Sequence, residues 1–132
     1  MKTYTPKKNI LIIDDQKSIR FLLGAMLSKQ YAVTTKRDGL EGMAWMSRGN
    51  IPDLILLDMQ MPRLCGSEFL KSLKNSGLFK NIPVIVLSGN ESDAEISNCF
   101  EMGAQEYLKK PFNPVQLKDK ISSIFQPNYS II

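Results

Sequence analysis

Five short apolar, β-branched runs recur along the chain: Ile10 to Ile13, Tyr31 to Thr35, Leu54 to Leu57, Val84 to Leu87 and, more weakly, Glu106 to Leu108. Continuous runs of this length suit strands covered on both faces, as in a parallel sheet sandwiched by helices. The stretches between them change period. Ile19, Leu22, Leu23, Met26 and Leu27 follow an i, i+3, i+4, i+7, i+8 stripe, and Leu40, Met43 and Ala44 repeat it over a shorter span. Phe69, Leu70 and Leu73 mark a third helix, Ile96, Cys99 and Phe100 a fourth, and Leu117, Ile121 and Ile124 a fifth. Met26, Met43, Trp45 and Phe100 read as packing residues rather than cofactor contacts.

The punctuation agrees with these elements. Pro52 and Pro83 stand just ahead of strands, where a missing N–H is tolerated. Gly49, Gly77 and Gly103 fall where left-handed C-terminal caps are expected, and Pro127 closes the last helix. Strict alternation of five β/α units predicts right-handed crossovers and a doubly wound α/β sheet without internal repeats.

Length and composition narrow the function. A chain of 132 residues, 43% apolar and 23% charged, suits one globular domain and excludes a disordered segment or a coiled-coil rod. No apolar run reaches the length of a transmembrane helix, and Met1 to Asn9 has no secretory pattern. Two cysteines, Cys65 and Cys99, are too few for a disulfide framework, so a reduced, cytoplasmic protein is expected. The chain has no histidine, which excludes Ser-His-Asp and Cys-His catalysis and histidine-bearing zinc sites. Any metal would be held mainly by oxygen. The net charge of +4 comes from scattered lysines, without an aromatic platform or dense basic stripe. Direct nucleic-acid binding is not expected, nor is membrane binding.

Ligands of open parallel α/β sheets bind beyond the carboxyl ends of the strands. The first run ends in Asp14-Asp15, the third in Asp58, the fourth in Ser88-Gly89, and the fifth is followed by Lys109-Lys110-Pro111. Singly, each has a plainer reading: an Asp as helix cap or turn residue, Ser88 as turn former, Lys110 as surface lysine. Together they place three carboxylates in one crevice, where mutual repulsion calls for positive charge. Mg2+ suits such an oxygen-rich site because it takes one or two carboxylates and leaves positions for phosphate oxygens. A carboxylate beside a metal and a lysine can act as nucleophile toward phosphorus without a general base.

These residues carry a resemblance. The stretches Ile10-Leu-Ile-Ile-Asp-Asp15, Asp53-Leu-Ile-Leu-Leu-Asp58-Met-Gln-Met-Pro62, Pro83-Val-Ile-Val-Leu-Ser88-Gly89 and Gly103-Ala-Gln-Glu-Tyr-Leu-Lys-Lys-Pro-Phe112 resemble the response-regulator receiver domain, the phospho-acceptor half of two-component signalling. The resemblance runs from about Lys8 to Phe125, with 43 residues from Asp15 to Asp58, 30 on to Ser88 and 22 on to Lys110. It implies a flavodoxin-like five-stranded parallel sheet in the order 2-1-3-4-5 with five helices. The expected organisation is a flexible N-terminal segment over 1–8, a receiver domain over 9–126 and a C-terminal tail over 127–132.

The resemblance also implies roles. Asp58 matches the phospho-acceptor, Asp15 a direct Mg2+ ligand and Asp14 a ligand acting mainly through water. The backbone carbonyl of Gln60 matches the remaining protein ligand. Lys110 matches the lysine that precedes a cis proline, here Pro111. Ser88 matches the switch hydroxyl and Tyr107 the switch aromatic, although Tyr107 also reads as a static, half-buried tyrosine. Phosphorylation would draw Ser88 inward, turn Tyr107 and alter the surface of the fourth helix, fifth strand and fifth helix.

The partners implied are a histidine kinase or histidine phosphotransfer protein upstream and a downstream protein or output domain. The chain is expected not to be an enzyme beyond its own phosphorylation and dephosphorylation. Some positions depart from the family pattern: Cys65 stands where an Asp is common, and Gln60 and Asn90 stand where phosphoryl lifetime is tuned. Gln105, Gln116 and Lys120 replace the charges usual in regulators that dimerise through this face, so a monomer is expected, with phosphorylation-linked dimerisation as the alternative. A phosphatase of the haloacid-dehalogenase type fits poorly, because Gln60 stands where its second aspartate is needed. A nucleotide-binding protein fits worse, because Asp14-Asp15-Gln16 replaces the glycine-rich loop. A phosphorylation-independent pseudo-receiver is the remaining alternative. The chain ends soon after the fifth helix, as expected of a stand-alone receiver or of the receiver part of a longer transcription factor or hybrid kinase.

Overall fold

A computed structural model describes residues 6–60, 66–89 and 92–126. Strands and helices alternate: β1 (Asn9–Ile13), α1 (Lys17–Leu27), β2 (Ala32–Lys36), α2 (Gly39–Ser47), β3 (Leu54–Asp58), α3 (Gly66–Lys74), β4 (Val84–Ser88), α4 (Asp93–Glu101), β5 (Glu106–Lys109) and α5 (Pro114–Ile124). All strand pairs are parallel, and the order across the sheet is β2-β1-β3-β4-β5. This is the flavodoxin-like order that the resemblance implies. Residues at Cys65, Asn90 and Pro127 lie outside the described part.

The apolar runs of β1, β3 and β4 are explained by burial on both faces; β2 and β5 depart from that expectation and are only partly buried, because each lies at a margin of the sheet. Every residue of β3 and β4 is buried. Alternate side chains then feed two separate cores. On one face Ile10, Ile12, Leu54, Leu56, Ile85 and Leu87 pack with Leu23 and Leu27 of α1 and Leu117, Ile121 and Ile124 of α5. On the other, Leu11, Ile13, Ile55, Leu57, Val84 and Val86 pack with Met46 of α2, Phe69, Leu70 and Leu73 of α3, and Cys99 of α4. Helix starts are fixed locally. Asp38, Ser92 and Asn113 accept backbone N–H groups at the starts of α2, α4 and α5, and Pro114 occupies the first turn of α5. At its amino edge the sheet continues into Lys8, whose carbonyl accepts the Ala32 N–H at 2.9 Å. Lys7 donates to the Ser28 carbonyl at 3.1 Å.

Several side chains depart from the expected pattern. Leu22, Leu40, Ala44 and Phe100 are exposed rather than buried. In α2 the buried positions are Gly39, Gly42 and Met46, so the face against the sheet uses glycines that a hydrophobic stripe overlooks. A Cβ on Gly42 would lie 2.7 Å from the Ile13 side chain, and this close approach turns Leu40 and Ala44 outward. Helix α4 buries Cys99, leaving Phe100 one residue further round and in solvent. Leu22 lines a groove between α1 and the β5–α5 connection with Ile19, Pro111, Phe112 and Pro114. Gly49 and Gly103 adopt the expected left-handed conformation, with φ of 99° and 108°. Gly77 does not; it lies in a turn beyond the end of α3.

Candidate functional site

A parallel sheet delivers every strand's carboxyl end to one edge, and the acidic residues collect there. Asp14 directly follows β1, Asp58 ends β3, Ser88 ends β4, and Lys110 directly follows β5. Asp14, Asp58 and Ser88 are buried, whereas Asp15 is exposed. One carboxylate oxygen from each of Asp14, Asp15 and Asp58 lies within 4.8 Å of the others. The Lys110 ammonium donates to Asp14 Oδ2 at 3.0 Å and lies 3.3 Å from Asp58 Oδ1. That oxygen of Asp58 also accepts the Gln60 backbone N–H at 3.1 Å. The Lys110–Pro111 peptide is cis, as the resemblance implies. The Lys110 N–H donates to the Ser88 carbonyl at 2.8 Å, which joins the lysine's backbone to the end of β4.

Asp14 is tied down at every polar group. Its N–H donates to the Lys36 carbonyl at 3.1 Å, its Oδ1 accepts the Gln16 N–H at 2.9 Å, and its Oδ2 accepts Lys110. Its carbonyl accepts Arg20 Nη1 at 2.8 Å. Arg20 escapes a reading confined to strand ends because it belongs to α1. The available signal was its place in the first turns of that helix, within reach of the preceding loop.

Electrostatics set Asp58 apart. Burial is the main cause that pushes its pKa up, to about 6; the Gln60 N–H and the Lys110 charge oppose this, while Asp14 and a hydrogen bond with Asp15 add to it. Burial also disfavours the Lys110 ammonium, but the hydrogen bond and charge of Asp14, with the charge of Asp58, outweigh it and hold the lysine above its usual value. Three carboxylates facing one ammonium leave the cluster short of positive charge. The donor set is all oxygen, combining a solvent-facing Asp15 with a buried Asp58. It suits a small hard cation such as Mg2+.

The remaining predicted positions fall as follows. Gln60 is exposed just beyond β3. Tyr107 is half-buried in β5, opposite Val86 of β4, and packs against the core shared with α2, α3 and α4. Lys120 of α5 pairs with Glu106 of β5 at 2.8 Å. Among the described residues no helix is long and apolar enough to cross a membrane.

Comparison with known proteins bears on the same elements. The family model for the response regulator receiver domain matches residues 10–122. The chain is 34% identical over 110 residues to the two-component response regulator ORR3 of rice, covering 83% of this chain and 84% of that protein. It is 33% identical over 120 residues to the alkaline phosphatase synthesis transcriptional regulatory protein PhoP of Bacillus subtilis, covering 90% of this chain and 49% of that one. Among solved structures, the Vibrio cholerae chemotaxis protein CheY4 superposes with a TM-score of 0.83 at 30% identity, over 90% of this chain and 99% of that one. The chain spans about half the length, or less, of several other curated relatives it matches. A match that runs from β1 into α5, on a sheet that superposes with solved receivers, places the chain in the response regulator receiver domain family of two-component signalling, and it belongs to that family.

Proposed function

We propose that Asp58 accepts a phosphoryl group from a histidine kinase or histidine phosphotransfer protein in the cytoplasm, in a Mg2+-dependent reaction. The resulting signal passes through the surface of α4, β5 and α5 to a downstream protein or output domain. The observation that carries this reading is the buried Asp58 carboxylate, held beside Lys110 and within 4.8 Å of Asp14 and Asp15. Asp15, Asp58 and the Gln60 carbonyl would hold Mg2+, with Asp14 acting mainly through water, and the ion supplies positive charge to the phosphoryl oxygens.

In the transfer, a carboxylate oxygen of Asp58 forms a bond to phosphorus as the bond between phosphorus and the donor's imidazole nitrogen breaks. The electron pair stays on the ring nitrogen. No proton need leave Asp58 when it is ionised, so a chain without histidine can perform the step. Lys110 supplies a point charge to a phosphoryl oxygen, and Ser88 a hydroxyl donor. Bringing Ser88 toward the phosphoryl group favours the conformer in which Tyr107 turns inward. Phosphorylation shifts that equilibrium by its difference in interaction with the two conformers.

On this reading the chain is a signalling domain whose only chemistry is on itself. The Lys120–Glu106 pair satisfies both charges within one chain, which favours a monomer. The phosphorylation-independent alternative has no observation in its favour.

Acetyl phosphate with Mg2+ should add one phosphoryl group, read by mass spectrometry, and peptide mapping should place it on Asp58. Asp58→Asn or chelation of Mg2+ should abolish it. Labelling that survives in Asp58→Asn would remove Asp58 as acceptor, and transfer in excess chelator would remove the metal.

A further inference from the structure

The turn between β1 and α1 presents Asp14 and Asp15, and the helix that follows it lacks the usual N-terminal cap. The residue at the start of α1, Gln16, makes no side-chain cap, and the first turn carries no acidic residue. The turn is held instead by two bonds to Asp14: the Gln16 N–H to its Oδ1 at 2.9 Å, and Arg20 Nη1 to its carbonyl at 2.8 Å. We propose that Arg20 is a positioning residue for cation binding: by gripping the Asp14 carbonyl it sets the direction in which Asp15 is presented to the ion. This rests on the metal reading given above.

The physical argument is geometric first. A peptide unit is planar, so fixing the Asp14 carbonyl oxygen also fixes the Asp15 nitrogen and the axis about which the Asp15 side chain swings. Asp14 itself is immobilised by its bonds to Lys36, Gln16, Lys110 and Arg20. Asp15 is exposed, so the orientation of the peptide that precedes it weighs heavily on where its carboxylate points. Losing the Arg20 grip would let that peptide rotate, and Asp15 would meet the ion from a spread of directions. A guanidinium suits the task because it is always charged and planar, which makes its bond to the Asp14 carbonyl strong and directional. Its charge alone would repel the ion, so weaker binding without it would report the loss of positioning.

The test is Mg2+ affinity of the unphosphorylated full chain. It is measured by titration through the backbone amide signals of Asp15 and Gln16, with thermal melting without metal as the control for folding. Arg20→Ala should bind Mg2+ about tenfold more weakly or worse, the scale on which outer partners of metal ligands act, while the amide signals of β3 and β4 stay in place. Arg20→Lys, which keeps a charged N–H donor group, should recover much of the loss. Equal affinity in Arg20→Ala and the parent chain would overturn the role of Arg20 and leave the metal reading intact. Loss of the β3 and β4 signals in both variants would overturn it too, by making Arg20 a folding residue. A parent chain that binds no Mg2+ would overturn the metal reading itself, and this role with it.

Discussion

Asp58 combines a buried carboxylate with a pKa raised to about 6, and the raised value has a cost in stability. The folded state takes up this proton more readily than the unfolded chain does. Stability contributed by the protonated form is therefore present at pH 4 and is lost as the pH rises through about 6. Asp58→Asn removes the charge and keeps the shape. Without divalent cations it should raise stability at pH 7.5 by about 1–3 kcal/mol, the scale of a two-unit shift. The gain should fade toward pH 4, as urea denaturation at the two values would reveal. A constant gain at both values would show that ionisation of Asp58 is not the cause. At this scale the sequence was informative where a residue ends a strand: Asp58, Ser88 and Lys110 are all placed by strand boundaries that apolar runs define. Arg20 was legible only as a residue within reach of the preceding loop; its contact depends on a side chain folding back over a helix start, which no period in the sequence encodes.

Glycine separates what pattern can reveal about elements from what it cannot. A Cβ on Gly66, at the start of α3, would lie 2.5 Å from Met59 Cα and 2.6 Å from the Asp58 carbonyl oxygen. Both contacts are backbone, with little room to yield. Gly66→Ala should therefore cost about 1–3 kcal/mol and disturb the amide signals of Asp58 and Met59. Gly24 lies inside α1 with nothing within 4 Å of such a Cβ. Gly24→Ala should instead stabilise by about 0.5–1 kcal/mol through helix propensity. Thermal melts of the two variants should thus move in opposite directions; a fall in both would mean that α1 is packed more tightly than its surroundings indicate. β1, β3 and β4 were legible because each is a run buried on both faces, whereas β2 and β5, at the margins of the sheet, are only partly buried and have weaker runs. Helix faces were less so. The inner side of α2 is Gly39, Gly42 and Met46, and a hydrophobic stripe cannot register glycines that work by letting the helix come close to Ile13.

At the scale of the whole molecule, the proposed switch couples the acidic edge to β5 and its neighbours. Beryllofluoride, a mimic of the phosphoryl group, should shift amide signals across α4, β5 and α5 when Mg2+ is present. Lys110→Ala should reduce those shifts while leaving the fold intact; unaltered shifts would remove Lys110 from the coupling. The fold was legible at this scale because alternation of five β/α units admits few topologies. The strand order came from the resemblance, since alternation does not fix it. The bonds around Asp14 carry a last implication. Lys36 belongs to β2, one margin of the sheet, while Lys110 follows β5, the opposite margin, and both reach the same aspartate. The pocket is thus closed by the first and last strands of the order together. A chain cut before β5, or one that has yet to dock it during folding, would hold its acidic residues unclasped, so competence for signalling should arrive in a single step with completion of the sheet.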